Sequence, residues 1–198
     1  MRTAAWLLLA GGSLATLGAF LPPYKQWYAP LEDGLRVIHA NPIGWYAIHA
    51  GFLSGTWVSC AGLAVLAYAL RDRPGQQWAI VMSVVYTLAA VCWTVNIGYR
   101  VTVWNWAAER FVTTGIIPSE FVAWQPFAGI MFACFSVGAY LVVAGLGALS
   151  LASAAVPRTL AWVFVAWGLS AGFIVGYNVP FIAYVPFILF GVSVLRGS

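Results

Sequence analysis

Two histidines, His39 and His49, are the side chains of this sequence best suited to proton transfer or metal binding. His49 lies about one turn inside an apolar segment, where an ionisable group is by default a functional candidate. Because b-type haem takes axial histidine ligands, His49 is a candidate ligand of haem b. The alternative is a neutral imidazole that is hydrogen-bonded to a neighbouring helix.

His39 precedes His49 by ten residues. On one continuous helix this spacing gives about 15 Å of rise, which is too far for both rings to hold one metal ion. Pro42 and Gly44 argue against a continuous helix, so a loop that folds back and shares a ligand remains an alternative. We therefore predict no metal site apart from the possible haem ligand His49.

A second group of polar side chains lies at the ends of two apolar segments. Asn96 and Tyr99 end the third segment, and Tyr177 and Asn178 end the fifth. With His49 they would lie at one level of a helical bundle, so these five residues are our candidate ligand-binding site. The alternative is that they cap helices and form hydrogen bonds between them, at about 1 kcal/mol each.

The sequence contains no motif that identifies an enzyme. It has no Gly-rich phosphate loop, no CxxCH and no HExxH, and no pair of acids lies within an apolar segment to relay protons. Cys60, Cys92 and Cys134 form no CxxC, and we expect them to be small buried apolar side chains. We predict no catalytic residue, and the sequence favours a non-enzymatic role.

The elements that must position these residues are membrane helices. Hydrophobic residues make up 63% of the 198 residues and charged residues only 7%, whereas soluble domains are about 25% charged. About 20 apolar residues cross a bilayer, so the chain is predicted to be one all-α polytopic domain, residues 1–198, in the cell membrane. The six predicted spans are residues 4–22, 44–70, 78–99, 126–151, 159–177 and 181–195.

Two features of these spans have alternatives. Arg2 followed by an apolar run is also typical of a signal peptide, but we expect an uncleaved first helix. Residues 159–195 could form one long kinked helix. We prefer a helical hairpin, because a continuous helix of that length exceeds the bilayer thickness.

The charges predict the orientation. With six spans, one side carries five basic residues on short connections and the other carries four on long ones. The positive-inside rule makes the first side, with both termini, cytoplasmic. The net charge of +4 comes from scattered residues without a basic run, so we predict no nucleic-acid partner.

Two long outer connections, residues 23–43 and 100–125, are predicted to contain one interfacial amphipathic helix each. In the first, Leu31, Leu35 and Ile38 recur at helical spacing. Both connections are rich in tryptophan, as an aromatic belt at the membrane surface or an outer docking face would be. The tryptophans of this predicted outer face are Trp27, Trp45, Trp104, Trp106 and Trp124.

Three functions are compatible with this sequence. The first is a non-catalytic accessory or structural subunit of a larger membrane complex, whose partners are the lipid bilayer and other membrane subunits. The second is a binding or transport module for a small lipophilic or weakly polar molecule. The third is a haem- or quinone-associated redox protein based on His49.

Overall fold

The computed structural model describes residues 1–21, 30–174 and 183–197, which form helices with short connections and no strand among them. This confirms the predicted all-α class. The helices are α1 (Arg2–Phe20), α2 (Leu31–Ala40), α3 (Pro42–Ala69), α4 (Gln76–Tyr99), α5 (Asn105–Thr114), α6 (Ser119–Ser153), α7 (Arg158–Ile174) and α8 (Tyr184–Gly197). The predicted ends at residues 22 and 177 and the predicted start at 181 lie outside the described residues.

Four helical stretches in the described part of the chain are long and apolar enough to cross a membrane. They are α1, α3, α4 with its continuation to Thr114, and α6. The described parts of α7 and α8 have 17 and 14 residues, whereas a span needs about 20. The structure therefore supports a membrane protein with four candidate spans, and the six-span topology stays a prediction.

The long helices pack side by side in the order α8, α1, α3, α4, α6, α7, and α8 also contacts α6. Neighbours in this order are antiparallel: Gly11 of α1 lies against Gly55 of α3, and Gly191 of α8 lies against Ala5 of α1. Alternation along the row makes α7 and α8 run in opposite directions. A hairpin requires these directions and one continuous helix does not allow them. Residues 175–182, between the two helices in sequence, lie outside the described residues.

Small residues bring α1 and α3 into backbone contact. A Cβ built on Gly55 would lie 2.5 Å from the backbone nitrogen of Ala15 and 2.6 Å from the carbonyl oxygen of Gly11. Only a glycine fits this position, since helix backbones that meet so closely leave no space for a side chain.

The centre of the bundle is filled by aromatic rings from four helices. Trp93 of α4 stacks on Phe135 of α6 with ring centroids 4.7 Å apart, and Phe52 of α3 meets Trp93 edge-on at 5.7 Å. Phe187 of α8 meets Tyr86 edge-on at 5.2 Å. These buried contacts fix how α3, α4, α6 and α8 surround a common core.

Residues 100–125, predicted as an outer connection with one amphipathic helix, contain a helix that is continuous with α4. The chain continues from α4 through a π-helical segment, Arg100–Trp104, directly into α5. Gly115, with φ 74, ends α5, and α6 starts at Ser119 instead of residue 126. Glu109 and Arg110 lower the hydropathy of this stretch without ending its helix, because Ala107, Ala108 and Phe111 remain buried on one helical face.

We call α2 and α5 together the outer cap. The amphipathic helix predicted around Leu35 and Ile38 is present as α2, and both side chains are fully buried. They pack with Ala107, Ala108 and Phe111 of α5 in a second hydrophobic cluster. The apolar face of α2 is therefore covered by protein, and the position of either cap helix on the membrane surface stays a prediction.

Candidate functional site at the outer end of the bundle

The outer end of the bundle is the end at which α3 begins and α4 leads into the cap. Asn41 caps α3, since its side-chain oxygen accepts a hydrogen bond of 3.0 Å from the backbone nitrogen of Gly44. Pro42 occupies the first turn, where its missing N–H is not needed. This start places Trp45 and His49 one turn apart on the buried side of α3.

His49 is buried against its own helix. Its Nδ1 lies 2.7 Å from the carbonyl oxygen of Trp45, and its ring lies 4.1 Å from the Trp45 ring, edge to face. Phe52 is a second aromatic neighbour, and its ring centroid lies 6.4 Å from that of the imidazole. The imidazole is therefore held in one orientation by a backbone oxygen and two aromatic rings.

Arg100 is the centre of the polar contacts at this end. Its Nε donates a hydrogen bond of 2.7 Å to Oδ1 of Asn96, and its guanidinium carbon lies 5.3 Å from the centroid of the Phe132 ring and 6.0 Å from that of Trp104. Its carbonyl oxygen accepts a hydrogen bond of 3.0 Å from Nε1 of Trp45. Cation–π contacts and an amide acceptor thus hold a charge at the end of an apolar helix.

Asn96 and Tyr99 connect α4 to α6. Nδ2 of Asn96 donates to the carbonyl oxygen of Ala128 at 2.7 Å, and the Tyr99 hydroxyl donates to that of Phe121 at 3.1 Å. Both side chains thereby bind backbone oxygens of the neighbouring helix. This arrangement matches the alternative in which they form hydrogen bonds between helices.

The structure brings three of the five predicted ligand-binding residues together. His49 and Asn96 contact the hydrogen-bonded pair Trp45 and Arg100. Arg100 also interacts electrostatically with both His49 and Tyr99. Tyr177 and Asn178 lie outside the described residues. Arg100 was missing from the prediction because it was counted only as an orienting charge; its spacing of four residues from Asn96 is the signal that could have included it.

The described neighbours of the His49 ring are protein groups. The Trp45 and Phe52 ring centroids lie 4.1 and 6.4 Å from that of the imidazole. Among the described residues no group of three or more His, Cys, Asp or Glu side chains could hold a metal ion. The structure therefore provides no support for the proposed haem ligation.

The predicted outer face of tryptophans is divided. Trp45 is fully buried, because its indole packs on His49 and bonds to Arg100, so it cannot present a docking surface. Trp104 is half-buried within the cap cluster. Trp106 and Trp124 are 37% and 55% exposed, and Trp27 lies outside the described residues.

A buried cluster of hydroxyl groups in the middle of the bundle was not predicted. The hydroxyls of Thr56 and Tyr184 lie 2.8 Å apart and connect α3 with α8. The buried Tyr86 hydroxyl lies close to those of Thr56 and Ser59. Thr56 and Ser59 are three residues apart on one face of α3, a spacing that could have indicated a polar contact.

An apolar groove runs between α4 and α6 on the outside of the bundle. One part has a volume of about 440 Å³ and includes Val85, Cys92, Cys134 and Leu141. A second part of about 370 Å³ shares Val85 and Leu141 and extends to Val165 of α7. The size and apolar lining of this groove would suit a small lipophilic molecule.

No known protein family matches the chain, and no curated protein or solved structure is significantly similar to it.

Proposed function

We propose that this protein is a non-catalytic accessory subunit of a larger membrane complex and that it binds its partners through the outer cap. The observation that supports this proposal is the contrast between two sets of side chains at the outer end. The buried polar groups His49, Asn96 and Tyr99 are bonded within the chain, whereas large apolar side chains of the cap and its surroundings are exposed.

The polar groups have roles within the fold. Asn96 and Tyr99 bind carbonyl oxygens of α6, and His49 binds one of α3. A catalytic or ligand-binding group must instead reach its substrate. These contacts favour a structural role over chemistry at this end.

Several large exposed side chains at this end are aromatic or aliphatic, and they lie among exposed charged residues such as Glu32, Glu109 and Arg110. Trp106 of α5 and Trp124 near the start of α6 are exposed, as are Ile43, Ile116 and Val122. Exposed tryptophan is enriched at the centres of protein interfaces, where it provides a large rigid contact area. We propose that other membrane subunits cover these side chains, while the lipid bilayer covers the bundle below.

The proposal includes a location and an orientation. Apolar helices are compatible with a membrane protein, and we place it in the cell membrane with both termini in the cytoplasm, according to the positive-inside rule. Interfacial cap helices and an aromatic belt belong to the same proposal.

The proposal is tested by native mass spectrometry after gentle extraction from the protein's own membrane. We expect the chain together with other polypeptides in fixed stoichiometry. Trp106→Ala combined with Trp124→Ala should release these polypeptides, whereas the control Trp162→Ala, at a site 54% exposed in α7, should retain them. A chain that is always alone, or equal loss in the control, would contradict this proposal.

The apolar groove favours a second candidate, a binding module for a small lipophilic molecule. Its described lining is almost entirely aliphatic or aromatic, as in pockets for apolar ligands. Such a ligand would add its own mass to the lone chain. At a hundred times its dissociation constant it would raise the free energy of unfolding by about 2.7 kcal/mol.

A further inference from the structure

Cys92 and Cys134 lie at the same level of two helices that approach closely. α4 and α6 are antiparallel, and a Cβ built on Gly138 would lie 2.6 Å from Cβ of Ala89. One turn further along, Trp93 stacks on Phe135 at 4.7 Å. Cys92 follows Ala89 by three residues and Cys134 precedes Gly138 by four, so on antiparallel helices both cysteines lie about one turn beyond that contact and at the same level.

The two thiols share one surface. Both cysteines line the outer part of the α4–α6 groove, and their side chains interact electrostatically. Cys92 is half-buried and Cys134 is exposed. The expectation that all three cysteines are buried apolar side chains is therefore correct only for Cys60, because the other two face the groove instead of the core.

The close approach of the helices is compatible with a disulfide. A disulfide needs Cα atoms about 4.4–6.8 Å apart, which is less than the usual 8–10 Å between the axes of packed helices. Cα atoms lie about 2.3 Å from their helix axis, so those on the facing sides of two helices are closer than the axes, and the Ala89–Gly138 contact draws the backbones together at this level.

The surroundings determine which oxidant can reach the thiols. The groove is lined by Val85, Leu88, Ala89, Val137 and Leu141 besides the cysteines, and it lies on candidate membrane-spanning helices. Water-soluble charged oxidants are excluded from such a region by the cost of desolvation. A reagent that dissolves in the bilayer can enter it from the side.

We propose that Cys92 and Cys134 form a redox-active thiol pair that a lipid-soluble quinone oxidises to an intramolecular disulfide. Two S–H bonds break and one S–S bond forms. The two electrons and two protons pass to the quinone, whose two carbonyl oxygens become the hydroxyl groups of the quinol. The disulfide connects α4 to α6 covalently across the groove. Reduction by a dithiol breaks this bond and restores the two thiols.

The test counts free thiols on the full-length protein in lipid vesicles. The chain has three cysteines, so denaturation in detergent and labelling with a maleimide polymer should add three labels to the reduced protein. After treatment with a short-chain quinone we expect one label, on Cys60, and a monomeric band without reductant. Cys60→Ser should then fall from two labels to none, whereas Cys92→Ser and Cys134→Ser should each keep two.

Three further outcomes would overturn the proposal. Three labels after quinone treatment, or a dimer that disappears in Cys134→Ser, would show that the two thiols do not pair within one chain. Equal oxidation by oxidised glutathione, which is water-soluble and charged, would show that the oxidant need not come from the lipid. We expect one molecule of quinol, measured by its absorbance, for each disulfide that forms.

Discussion

Gly55→Ala tests the backbone contact between α1 and α3 directly. The added Cβ would lie 2.5 Å from the nitrogen of Ala15 and 2.6 Å from the oxygen of Gly11, and such contacts under 3.0 Å essentially never occur. Both contacts are with backbone atoms, so no side-chain rotation relieves them. The two helices must separate, and the folded state must lose stability.

The magnitude follows from this separation. Restoring ordinary contact moves the helices apart by about 1 Å, which removes a quarter to a half of the dispersion energy of the atom pairs that lose contact. Overpacking of this kind costs about 1–3 kcal/mol, and the better helix propensity of alanine returns up to about 1 kcal/mol. We expect the free energy of unfolding to fall by about 1–2 kcal/mol.

The assay is reversible unfolding in mixed micelles, followed by tryptophan fluorescence. Gly98→Ala is the matched control, because Gly98 is also helical but has no atom within 4 Å of the position that an added Cβ would occupy. It should unfold at the same denaturant concentration as the wild type or a higher one. If Gly55→Ala were as stable as Gly98→Ala, the close contact of α1 and α3 would be refuted.

Three further changes can be measured in the same unfolding assay. Asn96→Ala removes hydrogen bonds to Arg100 and Ala128 and should lower the free energy of unfolding by about 3 kcal/mol. The control Asn105→Ala removes one local bond of 3.3 Å and should lower it by less than about 1 kcal/mol. Equal effects of the two changes would contradict the interhelical role of Asn96. Tyr184→Phe should lower the free energy of unfolding by about 1 kcal/mol through the lost bond to Thr56, and no change would argue against that bond. Gly75→Ala, at φ 92, should lower the free energy of unfolding by about 1–2 kcal/mol. An unchanged midpoint of denaturant unfolding would exclude a left-handed backbone at Gly75.

Hydropathy predicted the long helices well because crossing a bilayer constrains every residue of a span. The predicted segment 44–70 corresponds to Pro42–Ala69, and its start was missed by two residues because the Asn41 cap was not recognised. The same criterion did not show that residues 105–114 continue the helix of α4. Glu109 and Arg110 lower the hydropathy there, and α5 packs on α2 through Ala107, Ala108 and Phe111.

The site was partly predictable for a similar reason. His49, Asn96 and Tyr99 are polar groups next to apolar sequence, and that contrast is visible in one chain. The pairs that hydrogen-bond across the bundle cannot be read from the sequence in this way. Trp45 and Arg100 are separated by 55 positions, and Thr56 and Tyr184 by 128. Such pairs depend on the order and register of the packed helices, which local patterns do not specify.

The outer cap is joined to the bundle without a flexible linker on the α4 side. Gln76–Thr114 is helical over 39 residues, about 58 Å at 1.5 Å per residue, whereas the hydrocarbon core measures about 30 Å. α6 has 35 residues, or about 52 Å. Each of these candidate spans is therefore at least about 20 Å longer than that core, and we expect a partner that displaces the cap to shift α4 and α6 at the groove between them.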